Sequence, residues 1–85
     1  MSYSVSYVPS AAKALRKLDR QVARRLLEGI GELANDPRPP GCTQLKGGEG
    51  ELRIRVGDYR VIYEIHDDEL VVLVLRLGHR REVYR

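Results

Sequence analysis

Polar and apolar residues alternate strictly at the start of the chain. Ser2-Tyr3-Ser4-Val5-Ser6-Tyr7 predicts a strand with Tyr3, Val5 and Tyr7 on one face. Pro9 ends it, and Ser10 is placed to cap a helix whose inner face is Ala11, Ala14, Leu15 and Leu18. Asp19 then caps a second helix with an apolar stripe of Val22, Leu26, Ile30 and Leu33. Arg20, Arg24, Arg25, Glu28 and Glu32 fall mostly outside that stripe. Gly29 and Gly31 each weaken this helix by roughly 1 kcal/mol relative to Ala, and we read both as permitting close packing. With almost no linker between them, the two helices form a hairpin.

Asn35-Asp36-Pro37-Arg38-Pro39-Pro40-Gly41 stops the second helix, and a Gly-rich loop is expected through Lys46-Gly47-Gly48-Glu49-Gly50. Three strands follow, over Glu51 to Val56, Tyr59 to His66, and Leu70 to Leu77. Gly57-Asp58 is a two-residue hairpin turn, and Asp67-Asp68-Glu69 a three-residue one. Apolar residues on both faces of Leu70 to Leu75 predict a strand inside the sheet. The predicted fold is α+β, ordered β-α-α-β-β-β, an antiparallel-rich sheet with the helical hairpin packed on one face. At 85 residues this is a single domain, 1–85.

Composition narrows the class. One Cys and two His exclude a disulfide framework and a zinc finger. No apolar run reaches the roughly 18 residues of a membrane span, and Met1-Ser2-Tyr3-Ser4 resembles no signal peptide, so a cytoplasmic protein without a membrane partner is expected. Fifteen Lys+Arg against 12 Asp+Glu make a net charge of +3. Its placement is uneven: Arg53 to Arg60 holds three arginines and one acid, Arg76 to Arg85 four arginines and one acid, and the planar fork of donors on arginine suits phosphate.

Strand parity concentrates that charge. Leu52, Ile54 and Val56 share one face, while Arg53 and Arg55 share the other. The two-residue turn sets Arg55 opposite Arg60, and the three-residue turn would set Arg60 opposite Arg76. The expected row is Arg55, Arg60 and Arg76, with Arg53 one step away on the same face. Directly opposed like charges destabilise a sheet by up to about 1 kcal/mol per pair, whereas a polyanion across the face would relieve the repulsion. Singly, each arginine is explained as a solvated residue paired with Glu51, Glu64 or Glu82. As a surface residue, Arg60 is expected to change stability by less than about 1 kcal/mol on removal. Tyr59 and Tyr63 alternate with Val61 on the helix side and belong to the core, and Cys42 is read as inert.

Three blocks carry a resemblance. Leu45-Lys46-Gly47, Leu52-Arg53-Ile54-Arg55-Val56-Gly57-Asp58-Tyr59-Arg60-Val61-Ile62-Tyr63-Glu64-Ile65 and Gly78-His79-Arg80-Arg81-Glu82-Val83-Tyr84-Arg85 look like the RelE/ParE toxin superfamily. The resemblance implies a RelE-like, microbial-RNase-type fold and a toxin of a type II toxin–antitoxin system. RelE-type members are ribosome-dependent endoribonucleases that cut mRNA in the decoding site and so inhibit translation. ParE-type members poison DNA gyrase and cut no RNA. The other alternative is a degenerate toxin that only binds its antitoxin.

The RelE-type pattern implies catalytic roles for Arg53, Arg55, Arg60, Arg80 and Tyr84, with His79 added as the nearby group that titrates near neutrality. Lys46, Arg76 and Arg81 are assigned to RNA binding. No metal and no cofactor are expected. The implied partners are a RelB-like cognate antitoxin and the ribosome carrying mRNA; homo-oligomerisation is left open. Two departures stand out. RelE carries lysines where Arg53 and Arg55 stand, and arginine can stabilise charge but is a poor general base. Arg85 follows directly on Tyr84, so the C-terminal helix of some relatives is expected to be missing.

Overall fold

The computed structural model describes residues 2–45, 47, 48 and 50–79. Within them the chain runs β1 (Ser4–Tyr7), α1 (Pro9–Arg16), α2 (Arg20–Gly31), a 3-10 turn (Glu32–Ala34), β2 (Thr43–Gln44), β3 (Leu52–Val56), β4 (Tyr59–His66) and β5 (Val71–His79). The strands form one sheet in the order β1-β5-β4-β3-β2. Only β1–β5 is parallel, joined across the helical hairpin; the remaining pairs are antiparallel. The α+β reading holds, and β5 is interior as its two-sided apolar run requires. The short β2 is a strand inside what reads in the sequence as loop, and the loop's glycines conceal it.

Local chemistry accounts for the helix ends. Asp19 accepts a hydrogen bond from the Gln21 amide at 3.1 Å and caps α2 as expected. The start of α1 differs: Val8 is its N-cap, Pro9 occupies the first turn, and Ser10 lies inside the helix. Proline's fixed φ suits that position, and its missing N–H is one that a helix start leaves unsatisfied anyway. The Val8 amide instead donates to Val74 O at 3.0 Å, stitching the entry of α1 to the sheet.

The core lies between the hairpin and one face of the sheet. Val61, Tyr63, Val72 and Val74 are fully buried on the sheet side, against Ala11, Leu26, Ile30 and Leu33 from the helical side. Each such large side chain removed from water stabilises the fold by about 1.5–3 kcal/mol. The Tyr63 hydroxyl donates to Pro37 O at 2.7 Å, and burial pushes its phenol pKa up. Tyr63 is therefore a structural donor. Gly29 is where α2 meets β3, since a Cβ there would sit 2.8 Å from Val56 Cγ2. Gly31 has open space around its Cβ position, so the close-packing expectation holds for Gly29 alone.

A second tie lies outside the core. The Arg38 guanidinium donates to both Asp67 oxygens, at 2.9 and 3.3 Å, and the Tyr3 hydroxyl donates to Asp67 Oδ1 at 2.6 Å. These bonds hold the Asp67 carboxyl below its usual pKa. They join the N-terminal segment, the loop after α2 and the β4–β5 turn. Among the described residues no helix is long and apolar enough to cross a membrane.

Candidate functional site

The candidate site stands on the sheet face away from the helices. The turn Gly57-Asp58 has two residues, with Gly57 at φ +62°, as a type II′ hairpin needs at its first position. Val56 therefore pairs with Tyr59 and Arg55 with Arg60, as expected. Arg55 is exposed, while Arg53 is half-buried.

The β4–β5 register corrects the rest of the row. The turn has four residues, Asp67 to Leu70, because His66 pairs with Val71 and Leu70 adopts φ +55°. A bulge between Ile62 and Tyr63 shifts the pairing by one more residue. Arg60 consequently faces Gly78, and Arg76 faces Ile62. Two adjacent rows result: Arg55–Arg60–Gly78, and Arg53–Ile62–Arg76. The four arginines still share one face, but Arg76 flanks an isoleucine instead of Arg60. Ile62, only 6% exposed and outside the helix-side core cluster, is the member of this face that the sequence reading missed. Its only signal is parity with Arg60.

Arg60 is not a surface residue. It is 5% exposed, in a strand with neighbours on both sides. Parity assigns a face; it does not assign depth. Removing Arg60 is therefore expected to perturb folding, and exposed Arg55 is the cleaner probe of this face.

His79 is not brought together with the described arginines Arg53, Arg55, Arg60 and Arg76. It pairs with Tyr59 on the helix side, ring centroids 5.7 Å apart and planes at 79°, beside Ala14 and Leu18 of the α1–α2 hairpin. His66 pairs with Glu64 at 2.9 Å at the far end of β4. Lys46, Arg80, Arg81 and Tyr84 lie outside the described residues. Among the described residues no three His, Cys, Asp or Glu side chains could together hold a metal ion. What the described face offers is clustered, permanently charged donors, suited to a phosphodiester backbone.

Comparison with known proteins decides the family. The family model described as "ParE toxin of type II toxin-antitoxin system, parDE" matches residues 5–84. The chain belongs to the RelE/ParE superfamily of type II toxins. It is 31% identical over 86 residues to Toxin RelG of Mycobacterium tuberculosis, covering 100% of this chain and 99% of that one. It is also 31% identical to the mRNA interferase toxin RelE of Escherichia coli, over 99% of this chain and 92% of that one. The fold matches a chain in the crystal structure of a RelBE toxin–antitoxin complex from Mycobacterium tuberculosis. There the TM-score is 0.82 at 30% identity, covering 94% of this chain and 100% of the other.

Proposed function

We propose that this superfamily toxin is a ribosome-dependent endoribonuclease, cutting mRNA in the decoding site and held in check by a RelB-like antitoxin. The observation that carries the reading is the directly opposed pair Arg55–Arg60 on the helix-free face, with Arg53 and Arg76 in the adjacent row. Its relatives named as RelE toxins and mRNA interferases support the same reading. Crystallised neighbours in complex with RelB support the antitoxin partner.

In the proposed reaction the 2′-hydroxyl loses its proton and attacks the adjacent phosphorus. The P–O5′ bond breaks, and a proton reaches the departing 5′-oxygen, leaving a 2′,3′-cyclic phosphate. Arg53, Arg55 and Arg60, joined by Arg80, stabilise the extra charge on the phosphorane. Lys46, Arg76 and Arg81 hold the strand through its phosphates. Tyr84 stacks on a base or exchanges a proton. The ribosome stretches the message into the in-line geometry that the reaction needs.

The second reading, a gyrase poison, is favoured by one observation: the matching family model is described by ParE. Primer extension on translated messages after induction separates the two. Discrete in-frame cuts with wild type, lost with Arg55→Ala, are expected. DNA breaks with a damage response and no cuts would replace the nuclease by the gyrase reading.

A further inference from the structure

An arginine on a sheet face ordinarily lays its stem along the strands and keeps its charged head in water. Arg55 and Arg76 follow that rule and are exposed. Arg60 does not: it is 5% exposed, with Nε and Nη1 cut off from solvent. Its head stays down against the sheet, and the neighbours in register decide where it can lie. On the β3 side stands Arg55. Along β4 the next residue on the same face is Ile62, which already fills its own place at 6% exposed. On the β5 side stands Gly78, which has no side chain.

Strand spacing sharpens the contrast. The pair closing a two-residue loop, Val56 and Tyr59, exchanges main-chain hydrogen bonds, and the next pair, Arg55 and Arg60, does not. Pairs of the second kind are the closer ones, with Cα atoms about 4.5 Å apart. The Arg60 N–H and C=O consequently point to β5 and Gly78, in the kind of pair that sits about 5.5 Å apart. Arg60 is thus crowded by a like charge on one side and meets a wider, empty position on the other.

The backbone does not account for this glycine. Gly78 lies in the β5 ladder without a positive φ, in extended backbone that any residue adopts. Helix packing does not account for it either. Because Gly78 pairs with Arg60, a Cβ there would stand on the arginine face, whereas Ala14 and Leu18 line a cleft on the opposite, helix side. A glycine inside a strand and away from a bulge marks a place where another group comes close. On the arginine face the group in register is Arg60, and Gly78 is itself buried.

We infer that Gly78 is a positioning residue, its missing side chain being the bed on which the Arg60 guanidinium lies, aimed at the phosphate. This deepens the endoribonuclease reading and rests on it for the phosphate. A donor fixed before the RNA arrives is what stabilising a phosphorane requires. A methyl at position 78 would lift the guanidinium, leaving its charge present but misdirected.

Gly78→Ala and Gly78→Val test this, with Gly31→Ala, whose added methyl meets nothing within 4 Å, as the control that leaves cleavage unchanged. Single-turnover cleavage on programmed ribosomes is expected to fall about 10- to 100-fold in Gly78→Ala, the scale of a misplacement near 1 Å, and further in Gly78→Val. Ribosome affinity should stay within about threefold, so that the loss falls on the rate and not on binding. In the Arg60→Lys background, where the planar fork is already gone, Gly78→Ala should cost less than about twofold. In the toxin alone, nuclear Overhauser contacts are expected between the Gly78 Hα protons and the Arg60 side chain, and Gly78→Ala should move the Arg60 Nε–Hε resonance. Missing contacts in the wild type, an unmoved resonance, or equal losses in the two backgrounds overturns the inference. If Gly78→Ala does not fold, the wild-type contacts decide. If the wild type cuts no message, the nuclease reading falls, and the resonance measurements still decide whether Gly78 places Arg60.

Discussion

The two glycines of α2 sit two residues apart and should respond to alanine with opposite signs. At Gly31 the added methyl meets nothing within 4 Å, and its backbone is helical, with φ −60° and ψ −30°. Gly31→Ala should then stabilise by up to about 1 kcal/mol, the propensity difference between the two residues. At Gly29 the same methyl would lie 2.8 Å from Val56 Cγ2 and 3.4 Å from Cγ1. The first distance is roughly 0.7 Å inside normal carbon–carbon contact. Val56 is β-branched and stiff, and its strand is held by the Tyr59 pairing. Overpacking of this kind costs about 1–3 kcal/mol, which exceeds the propensity gain and leaves a net loss of about 1 kcal/mol. The two variants should differ by about 2 kcal/mol, or roughly 8–16 °C in Tm for a domain of this size. Parallel thermal melts followed by circular dichroism measure it. If Gly29→Ala is as stabilising as Gly31→Ala, α2 does not seat on Val56 as described.

Other outcomes follow from the same structure. Tyr63→Phe leaves Pro37 O without its donor in a buried site and should cost about 1–2 kcal/mol in urea unfolding; no measurable loss would refute the structural role. The Asp67 carboxyl has a depressed pKa in the folded state, from its bonds to Arg38 and Tyr3. Its contribution is therefore present above the unfolded value near pH 4 and disappears as pH falls through the lower folded value. Asp67→Asn should flatten that part of the stability–pH curve, and an unchanged acid limb would count against the clamp. His79→Ala should change the single-turnover cleavage rate by less than about threefold. A loss of 10²–10⁴-fold with an altered pH profile, the mark of a positioned acid–base group, would return His79 to the site. Arg55→Ala should lower cleavage about 10²–10³-fold while shifting stability by no more than about 1 kcal/mol either way; an unfolded or fully active variant removes Arg55 from the proposal.

Features set by a few neighbouring residues are legible in the sequence itself. The Asp19 cap and the Gly57-Asp58 turn are local, and the turn alone fixes Arg55 against Arg60. The bulge at Ile62/Tyr63 is not local. It arises because the helix-side residues of β5 step from Val74 to Leu77, and that step is hidden where Leu73 and Leu75 make the run apolar on both faces. The Arg38–Asp67–Tyr3 cluster brings together three distant segments and leaves no periodic trace. The burial of Arg60 escapes for a different reason. Alternation tells which side of a sheet a residue takes, and a strand with neighbours on both sides then decides how deep it lies.

The two faces of the sheet obey different rules. On the helix side every choice agrees with folding: Val61, Tyr63, Val72 and Val74 are buried, and Tyr59 and His79 pack edge to face. On the other side Arg55 opposes Arg60, and a nearly buried arginine occupies an interior strand. The Arg55–Arg60 opposition works against stability, and such local conflicts concentrate at functional sites. The same parity constrains the chemistry. Among the described residues, the other ionisable groups in register on this face are Glu51, Glu64 and His66. Glu51 and Glu64 stand four residues from the Arg55–Arg60 row, about 13 Å along the strands, and His66 is farther still. Asp58 lines a cleft on the helix side with Arg25 and Tyr59. A phosphate held at the Arg55–Arg60 row thus meets fixed positive charge and no described carboxylate or imidazole. On the reading proposed above, the described part of the site would act through geometry and charge, and proton transfer would fall to Tyr84 or to the ribosome-bound message.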